Sequence, residues 1–372
     1  MSKRTKQRHS RLMTISIGLA TAFVANLGHA TSDIGPLPPL KFDEAKAELG
    51  KRLFFDARLS GDAAISCATC HDPEHGFSTS KALSDGYPGN KHFRNAPTMI
   101  NTAYKKVWMH DGRIGTNLND VTREMITEDY IFNMDMRIMQ ERLKQDSKYL
   151  EMFEAAGYGE PSNGKVRNAI PEYLKTLTSR GAPFDTGEMS EAAQRGMAIF
   201  KGKGNCMACH NTPLFSDGQS HNTGVPENFD IFRDSLRHQA FIAYNMFLGN
   251  ENYMALMRDP GTHVQTHKAD GSDMGKFMTP TLRELKYTQP YMHNGMLKTL
   301  EDVVEFYNNG GGEDRNKATL IKPLNLTEEE KQDLVAFLLA LSGEPLTTSE
   351  HVWTSEFPNE YEAIEDWRNV PN

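Results

Sequence analysis

Two short segments with the same pattern constrain this chain more than any other feature. Residues 67–71 and 206–210 both read Cys-x-x-Cys-His, which is typical of covalent attachment of c-type haem. Two thiols at this spacing can form thioethers with the two vinyl groups of one haem, and the histidine that follows can then bind the iron. The sequence therefore predicts two haems. The predicted attachment residues are Cys67, Cys70, Cys206 and Cys209, and the predicted iron ligands are His71 and His210.

Two other uses of a Cys-x-x-Cys pair are weaker alternatives. The two motifs contain all four cysteines of the chain, so none is left for a disulfide. A redox-active dithiol does not need the histidine that follows each motif. A zinc site with four thiolate ligands would have to join two motifs that lie about 140 residues apart in the chain. Haem attachment is therefore the interpretation that we follow.

The first 30 residues have the composition of a secretory signal peptide. Five Lys and Arg residues precede or border an apolar run from Leu12 to Leu27, and small residues lead to a cleavage position after Ala30. The alternative is an uncleaved membrane anchor, but the apolar run is short for a span of ~20 residues. Attachment of c-type haem takes place outside the cytoplasm, which agrees with a signal peptide. We expect a periplasmic protein.

The charge balance narrows the range of partners. The formal net charge is −8, and cleavage after Ala30 would remove five positive and no negative charges, which leaves −13. An acidic surface argues against binding of nucleic acid and favours a basic or positively patched partner.

The two halves of the chain share further short matches. Residues 97–98 (Pro-Thr) recur as residues 280–281, and residues 109–112 (Met-His-Asp-Gly) recur as residues 292–295 (Met-His-Asn-Gly), both 183 positions later. Recurrence at a fixed offset is the sign of an internal repeat. We therefore expect a diverged duplication in which each copy contains one haem motif.

Helical periodicity precedes both haem motifs. After Asp43, the apolar residues Ala45, Leu49 and Leu53 fall on one face of a helix, and residues 191–200 predict a second helix before the second motif. No segment shows the sustained alternation of a strand. The predicted fold class is all-α, with two haem domains related by internal duplication.

Proline and glycine residues between positions 171 and 187 mark the expected boundary between the two domains. The expected segments are a signal peptide at 1–30, an N-terminal haem domain at 31–180, a C-terminal haem domain at 181–346 and an acidic tail at 347–372 to which we assign no role.

Several motifs taken together resemble one protein family. The two haem motifs, residues 94–98 (Arg-Asn-Ala-Pro-Thr), 111–113 (Asp-Gly-Arg) and 290–295 (Pro-Tyr-Met-His-Asn-Gly) are similar to segments of the bacterial di-haem cytochrome c peroxidases and their MauG-type relatives. The resemblance implies two cytochrome-c-like domains, a peroxidatic N-terminal haem and an electron-transfer C-terminal haem. It also implies that hydrogen peroxide is the substrate and that the redox partner is a cytochrome c, a cupredoxin or a protein with an oxidisable Trp or Tyr.

Tyr307 is the residue that favours one branch of this family. The resemblance implies that the helix after residues 290–295 supplies the sixth ligand of the C-terminal haem, which is Met in the peroxidases and Tyr in MauG-type enzymes. A phenolate-like oxygen favours higher oxidation states of iron, whereas a thioether favours Fe(II). The alternative is that Tyr307 is an ordinary core aromatic and that Met292 or Met296 binds the iron.

The distal side of the N-terminal haem departs from the peroxidase pattern. The peroxidases place a histidine in the loop before residues 94–98, but this chain has Tyr87 there and His92 lies five positions later. The resemblance therefore implies an open distal pocket, as in MauG-type enzymes. Met125, the repeat counterpart of Tyr307, could instead reach this iron.

Peroxide cleavage needs a group that moves a proton between the two oxygens. The family uses a glutamate in the segment after Asp-Gly-Arg. The match slips in this chain, and Glu128 is the candidate, with Asp129 next to it; a helix-surface carboxylate is the alternative.

The resemblance also implies a calcium ion between the domains, bound by the side-chain oxygen of Asn95 and the backbone carbonyls of Thr288 and Pro290. Oxygen ligands suit this cation. The residues of the chain would not have suggested this site by themselves.

Three departures from the family affect the expected electron route. The family has Trp immediately before Asp-Gly-Arg, between the haems; here that residue is His110, and Trp108 precedes it by two positions. Either Trp108 swings into the gap or another group couples the haems, and Trp108 and His110 are both candidates. MauG has a second Trp on the route to its protein substrate, where this chain has Gly204. Residues 229–262 look like an insertion whose aromatic and Met residues form either plain core or a docking surface.

The leading hypothesis is a periplasmic di-haem enzyme of the MauG type that reacts with hydrogen peroxide and oxidises a partner protein through high-valent haem. The first alternative is a cytochrome c peroxidase that reduces peroxide to water with electrons from a small cytochrome c. The second is a di-haem electron carrier without catalysis.

Overall fold

A computed structural model describes residues 34–87, 91–115 and 117–346. The predicted signal peptide and the predicted acidic tail lie outside these residues. Within them, no helix is long and apolar enough to cross a membrane.

Helices dominate the described part of the chain, as the sequence predicted. The only strands there are two residues long, and they pair antiparallel with Ser220 opposite Met278 and His221 opposite Phe277. The α-helices are α1 Glu44–Phe55, α2 Cys67–Cys70, α3 Leu118–Thr127, α4 Met136–Lys144, α5 Ser147–Ala155, α6 Asn163–Leu174, α7 Pro183–Thr186, α8 Glu191–Lys201, α9 Asp230–Arg233, α10 Ser235–Phe247, α11 His263–Thr266, α12 Leu300–Asn308 and α13 Glu328–Ala340. The 3-10 helices are Ala57–Leu59, Pro73–His75, Thr102–Tyr104, Cys206–Ala208, Tyr253–Ala255 and Leu285–Tyr287, and the strands are β1 Ser220–His221 and β2 Phe277–Met278.

Local sequence explains where the main helices begin. The Asp43 side chain accepts the N–H of Lys46 at 3.1 Å and caps α1. Thr327 and Glu330 form a reciprocal capping box before α13. Such caps satisfy backbone N–H groups that have no partner within the helix.

Each half of the chain contains one close crossing of two helices. α1 crosses α6 at Gly50, where a Cβ atom would lie 2.1 Å from the backbone oxygen of Ala169. α8 crosses α13 at Gly196, where a Cβ atom would lie 1.9 Å from the backbone oxygen of Asp333. Only glycine permits so close an approach, so both crossings require a glycine at the contact point.

Two clusters of buried apolar side chains form around these crossings. The first contains Leu53, Phe54 and Tyr173 from α1 and α6, together with Leu346 from the far end of the described chain. The second contains Phe200 from α8 and Phe337 from α13, with ring centroids 5.1 Å apart.

The matched segments of the sequence adopt matched structures. Trp108 forms an isolated antiparallel bridge with Ile114, and Tyr291 forms the same bridge with Leu297. The 3-10 helices Thr102–Tyr104 and Leu285–Tyr287 each follow a residue with positive φ, Asn101 at 62° and Glu284 at 64°. In each case the second feature lies 183 positions after the first.

The region at 229–262 packs against the first half of the chain. Phe241 and Tyr244 of α10 join Phe93 and Tyr130 in a third buried cluster. The outer face of the same region is apolar and exposed; Phe247, for example, is 76% exposed. The region is therefore core on one face and an apolar surface on the other.

Candidate haem centres

The first haem motif presents a histidine that is ready to bind a metal. α2 contains both cysteines, and His71 follows at its C-terminal end. The Nδ1 atom of His71 donates to the backbone oxygen of Pro97 at 3.0 Å, which leaves Nε2 for iron. Burial lowers the pKa of the His71 imidazole to about 4, so the neutral, metal-binding form prevails.

The second motif is built in the same way. A 3-10 turn contains Cys206, and the Nδ1 atom of His210 donates to the backbone oxygen of Phe215 at 2.7 Å. Burial also lowers the pKa of His210. Both histidines therefore point Nε2 away from a backbone carbonyl, as an iron ligand requires.

The cysteines suit thioether attachment better than the alternatives. All four are free and partly buried in the structure. Burial raises the pKa of the Cys67, Cys70 and Cys206 thiols to about 12, so they are not the reactive thiolates of a redox dithiol. Among the described residues, one group of three side chains could hold a metal, Cys209 with Asp217 and His221, and it uses a thiol that haem attachment would consume.

Tyr307 belongs to α12 and lies beside the second haem motif. The helix begins with a capping box between Thr299 and Asp302. Burial raises the pKa of the Tyr307 phenol to about 12, and the neighbouring thiols of Cys206 and Cys209 act in the same direction. The hydroxyl also forms a hydrogen bond with Thr223. The structure thus brings Tyr307 to the haem motif to which the sequence assigned it.

The residues that compete with Tyr307 are placed differently. Met296 is 37% exposed, and Met292 has a φ of 75° in a turn closed by the N–H of Gly295. On α3, Met125 occupies the position that corresponds to Tyr307 and is half-buried.

Glu128 is the C-cap residue of α3 and lies next to a second carboxylate, that of Glu124. Burial raises the pKa of Glu128 to about 7, and the nearby carboxylate of Glu124 contributes to the shift. The Nε atom of Arg113 donates to Glu124 Oε1 at 3.4 Å. Glu128 can therefore take and release a proton near neutral pH, whereas Asp129 is exposed. Glu124 was not predicted from the sequence, although its spacing of four residues from Glu128 places both on one helix face.

A buried ion network lies next to this pair. Arg94 donates to both carboxylate oxygens of Asp259, at 2.6 and 2.7 Å, and also to Asp111, which in turn accepts the hydroxyl of Tyr244. Burial opposes ionisation of Asp111, but Arg94 and Arg113 outweigh it and hold the pKa of this carboxyl well below its usual range. The network anchors the Arg-Asn-Ala-Pro-Thr and Asp-Gly-Arg segments to each other and to the region at 229–262. The contribution of Asp259 and Tyr244 was not visible in the sequence.

His110, and not Trp108, meets the other half of the chain. Trp108 is buried, with its Nε1 atom donating to the backbone oxygen of Thr102 at 3.1 Å. The His110 ring lies 6.5 Å from the ring of its repeat counterpart His293, which stacks on Phe277 at 3.6 Å. The two counterpart histidines therefore face each other across the two halves of the chain.

Asn95, which was predicted to bind calcium, contacts the second half of the chain. Its N–H donates to the backbone oxygen of His293 at 2.8 Å, next to the segment with Thr288 and Pro290. The Nδ2 atom donates to the backbone oxygen of Lys81 at 2.9 Å, so the side-chain oxygen is the atom left for a cation. An amide oxygen and two carbonyls are suitable calcium ligands.

The His92 ring packs against Phe93 and Tyr130 of the third buried cluster. The ring stacks on Phe93 at 4.6 Å, and its Nδ1 atom accepts the N–H of Arg94 at 3.0 Å. The N–H of Tyr87 donates to the backbone oxygen of Tyr130 at 3.2 Å.

Comparisons with known proteins identify the family. A family model described as di-haem cytochrome c peroxidase matches residues 44–193. A cytochrome-c peroxidase IdrP2 of Denitromonas iodatirespirans is 47% identical over 353 residues, which cover 92% of this chain and 95% of that protein. The chain belongs to the di-haem cytochrome c peroxidase/MauG family. A methylamine utilization protein MauG of Methylorubrum extorquens is 34% identical and covers 81% of the chain and 79% of its own length.

Solved structures agree with this family. A MauG-like protein associated with microbial copper homeostasis superposes with a TM-score of 0.70 at 28% identity, covering 86% of this chain and 96% of its own. The di-haem peroxidase BthA from Burkholderia thailandensis superposes with a TM-score of 0.67 at 23% identity, over 84% and 90%, which supports the fold.

Membership in this di-haem family confirms three predictions. The protein is a haem-dependent oxidoreductase, it contains two c-type haems, and it acts with hydrogen peroxide and a redox partner. The relatives named cytochrome-c peroxidase IdrP2 are more similar to this chain than those named MauG, so similarity alone does not favour the MauG branch.

Proposed function

We propose that the protein uses hydrogen peroxide to oxidise a partner protein by MauG-type chemistry. When bound, the two haems supply the iron that reacts with peroxide, at His71, and a second redox centre, at His210. The observation that supports the MauG branch is the placement of Tyr307 at the second haem motif. Its oxygen would favour the oxidised states of that centre, so the enzyme would not depend on a reduced haem to react with peroxide.

We also propose that the two haem domains, at 31–180 and 181–346, are products of a duplication. The paired bridges, the paired 3-10 helices and the paired glycine crossings support this, because unrelated segments would have no reason to repeat all three. The burial of Leu346 in the first cluster means that the end of the second domain packs against the first.

Glu128 is the proposed proton-transfer residue on the peroxide side. Its raised pKa, about 7, suits a group that accepts a proton from peroxide and returns it to the leaving oxygen. Glu124 raises the pKa of this carboxyl and Arg113 lowers it, and Arg113 also donates a hydrogen bond to Glu124.

His110 and His293 are proposed to lie on the electron route between the two redox centres. They replace the family Trp with two neutral rings, because burial lowers the pKa of His110 to about 4 and that of His293 to about 3. Trp108 would then have a structural role, through its hydrogen bond with Thr102. Asn95, Thr288 and Pro290 are proposed to bind calcium beside this route.

We further propose that the protein is periplasmic, that its redox partner has a positively charged patch, and that it does not bind nucleic acid. They are supported by the charge of −13 that cleavage after residue 30 would leave and by the need to attach c-type haem outside the cytoplasm.

A second candidate is peroxide reduction to water with electrons from a small cytochrome c. The names of the relatives IdrP2 and IdrP1, at 47% and 38% identity, favour it. In that case the second redox centre would be reduced before peroxide reacts.

One experiment separates the candidates. One equivalent of peroxide is added to the fully oxidised protein, and the spectrum and the iron oxidation states are followed. A long-lived species with both haems oxidised above Fe(III), lost in Tyr307→Phe but kept in the control Tyr291→Phe, supports the proposal. Reaction only after one haem is reduced supports the second candidate, and no reaction in either state would point to an electron carrier.

A further inference from the structure

An open cavity lies between helices α1, α3 and α6 in the first half of the chain. Its volume is about 620 Å³, within the ~300–1,000 Å³ that is usual for binding sites. Trp108, Leu118 and Tyr158 give it apolar and aromatic walls. No step of the proposed mechanism uses this cavity. Its size and walls suit an occupant that has an aromatic group.

The lining of the cavity is positively charged. Three lysines and one glutamate line it, in a chain whose formal net charge is −8. Two of the lysines are paired. The Nζ atom of Lys175 lies 2.6 Å from Glu172 Oε1. The Nζ atom of Lys46 lies 2.9 Å from Asp43 Oδ2.

Lys105 is the third lysine, and it has no such partner among the described residues. Its side chain is half-buried, and burial lowers the pKa of its amine to about 8. An ion pair would oppose this shift, and no described carboxylate does so. A desolvated charge without a counter-charge is unfavourable. An anionic group beside Lys105 would therefore stabilise the folded protein.

The described chain ends close to this cavity. The N–H of Glu344 donates to the backbone oxygen of Arg180 at 2.8 Å. The residue before Arg180, Ser179, is joined to Asn101 by hydrogen bonds of 2.6 and 3.0 Å. Lys105 lies four positions after Asn101. Backbone dimensions therefore keep Glu344 within about 30 Å of Lys105.

The tail that follows, residues 347–372, has the charge and the side chains that this cavity would accept. It contains six Asp and Glu residues, one Arg and no Lys. Trp353, Phe357 and Trp367 lie among these acids. Glu356 is twelve positions after Glu344, and twelve residues can span ~40 Å. A group tethered in this way binds at a high effective concentration.

We propose that the tail, residues 347–372, occupies this cavity, with one of its carboxylates on the Lys105 amine and an aromatic side chain against Trp108. A lysine and a carboxylate form a charge-assisted hydrogen bond, which is stronger than a neutral one. Lys105 also lies close enough to His71 to lower the pKa of that imidazole. The tail would therefore cover the surface next to the first haem motif. The inference does not require the MauG-type reaction.

The test is hydrogen exchange at the amides of residues 347–372 in the haem-loaded protein, measured by mass spectrometry. We expect Lys105→Gln to speed exchange there by at least about tenfold, as for the loss of one charge-assisted hydrogen bond. Lys105→Arg keeps the charge and should retain most of the protection. Lys106→Gln is the matched control, because Lys106 is the next residue and is exposed.

A carbodiimide, which joins an amine directly to a carboxylate, then locates the contact in the unaltered chain. We expect a cross-link between Lys105 and an acid of the tail. In a mixture of isotope-labelled and unlabelled protein, this cross-link should join residues of the same chain.

Tail amides that exchange in the wild type as fast as in an unstructured peptide would overturn the inference. Equal effects of Lys105→Gln and Lys106→Gln would do the same. So would cross-links that join only two copies of the chain, or a crystal structure with a haem propionate on Lys105. None of these measurements uses peroxide, so a failure here is distinct from a failure of the proposed function.

Discussion

The two halves of the molecule hold their haem motifs alike but surround them differently. His71 and His210 are each oriented by a backbone carbonyl, and each half has a helix crossing that depends on glycine. The matched helices differ, however: α12 contains Tyr307, whereas α3 contains Met125 and Glu124 and is followed by Glu128. The proposed function assigns peroxide to one centre and storage of an oxidising equivalent to the other on the basis of these differences.

The largest expected effect follows from removing the proposed iron ligand of the first centre, which the second centre would keep. His71→Ala removes the proposed iron ligand, so peroxide turnover should be lost, a larger effect than the ~10–100-fold typical of losing an outer-shell partner of a metal ligand. The measurement is the rate of peroxide consumption. His75→Ala is the control, because His75 lies four positions later, is 38% exposed and is paired with Asp72. Equal losses in the two variants would contradict the assignment.

The next effect concerns proton transfer, which the proposed function assigns to the first centre. Glu128→Gln should slow the reaction with peroxide by about 10²–10⁴-fold. Because the pKa of Glu128 is raised to about 7, the base form is lost as the pH falls through that value, so the wild-type rate should fall in the same range. The variant should lose this dependence. Asp129→Asn, at an exposed position, should behave as wild type in stopped-flow assays from pH 5 to 9.

Tyr307→Met would make the second centre resemble that of the methionine-ligated peroxidases. A thioether favours Fe(II), so the midpoint of the second haem should rise, by on the order of hundreds of mV within the ~0.8 V range that axial ligands span. Redox titration checks this. The idea fails if the first haem shifts instead, or if Tyr291→Phe produces the same rise.

The smallest effect tests whether the two helix crossings are equivalent. Gly50→Ala and Gly196→Ala would each force a methyl group against a backbone oxygen, so each should lower the free energy of unfolding by about 1–3 kcal/mol. Denaturant unfolding of the haem-loaded protein measures this loss. Gly164→Ala, at a position with open space in α6, should not destabilise the protein. A large difference between the two crossings would weaken the proposed duplication.

The haem motifs and the main helices could be predicted because their determinants are local. A Cys-x-x-Cys-His segment contains its own attachment groups, and α1 and α13 begin at caps within three residues of the first turn. The region at 229–262, which the sequence marked as an insertion, contains α9 and α10. Its division into a buried and an exposed face required the structure, because Phe241 and Phe247 are the same residue type in one helix.

Spacing along the chain was enough to predict the residues that attach the two haems and a helical fold, because both depend on local patterns. The contact of His110 with His293 and the pairing of Arg94 with Asp259 across 165 positions required the tertiary structure. These contacts join residues far apart in the chain. Their formation depends on how the helices pack, and no local pattern records that packing.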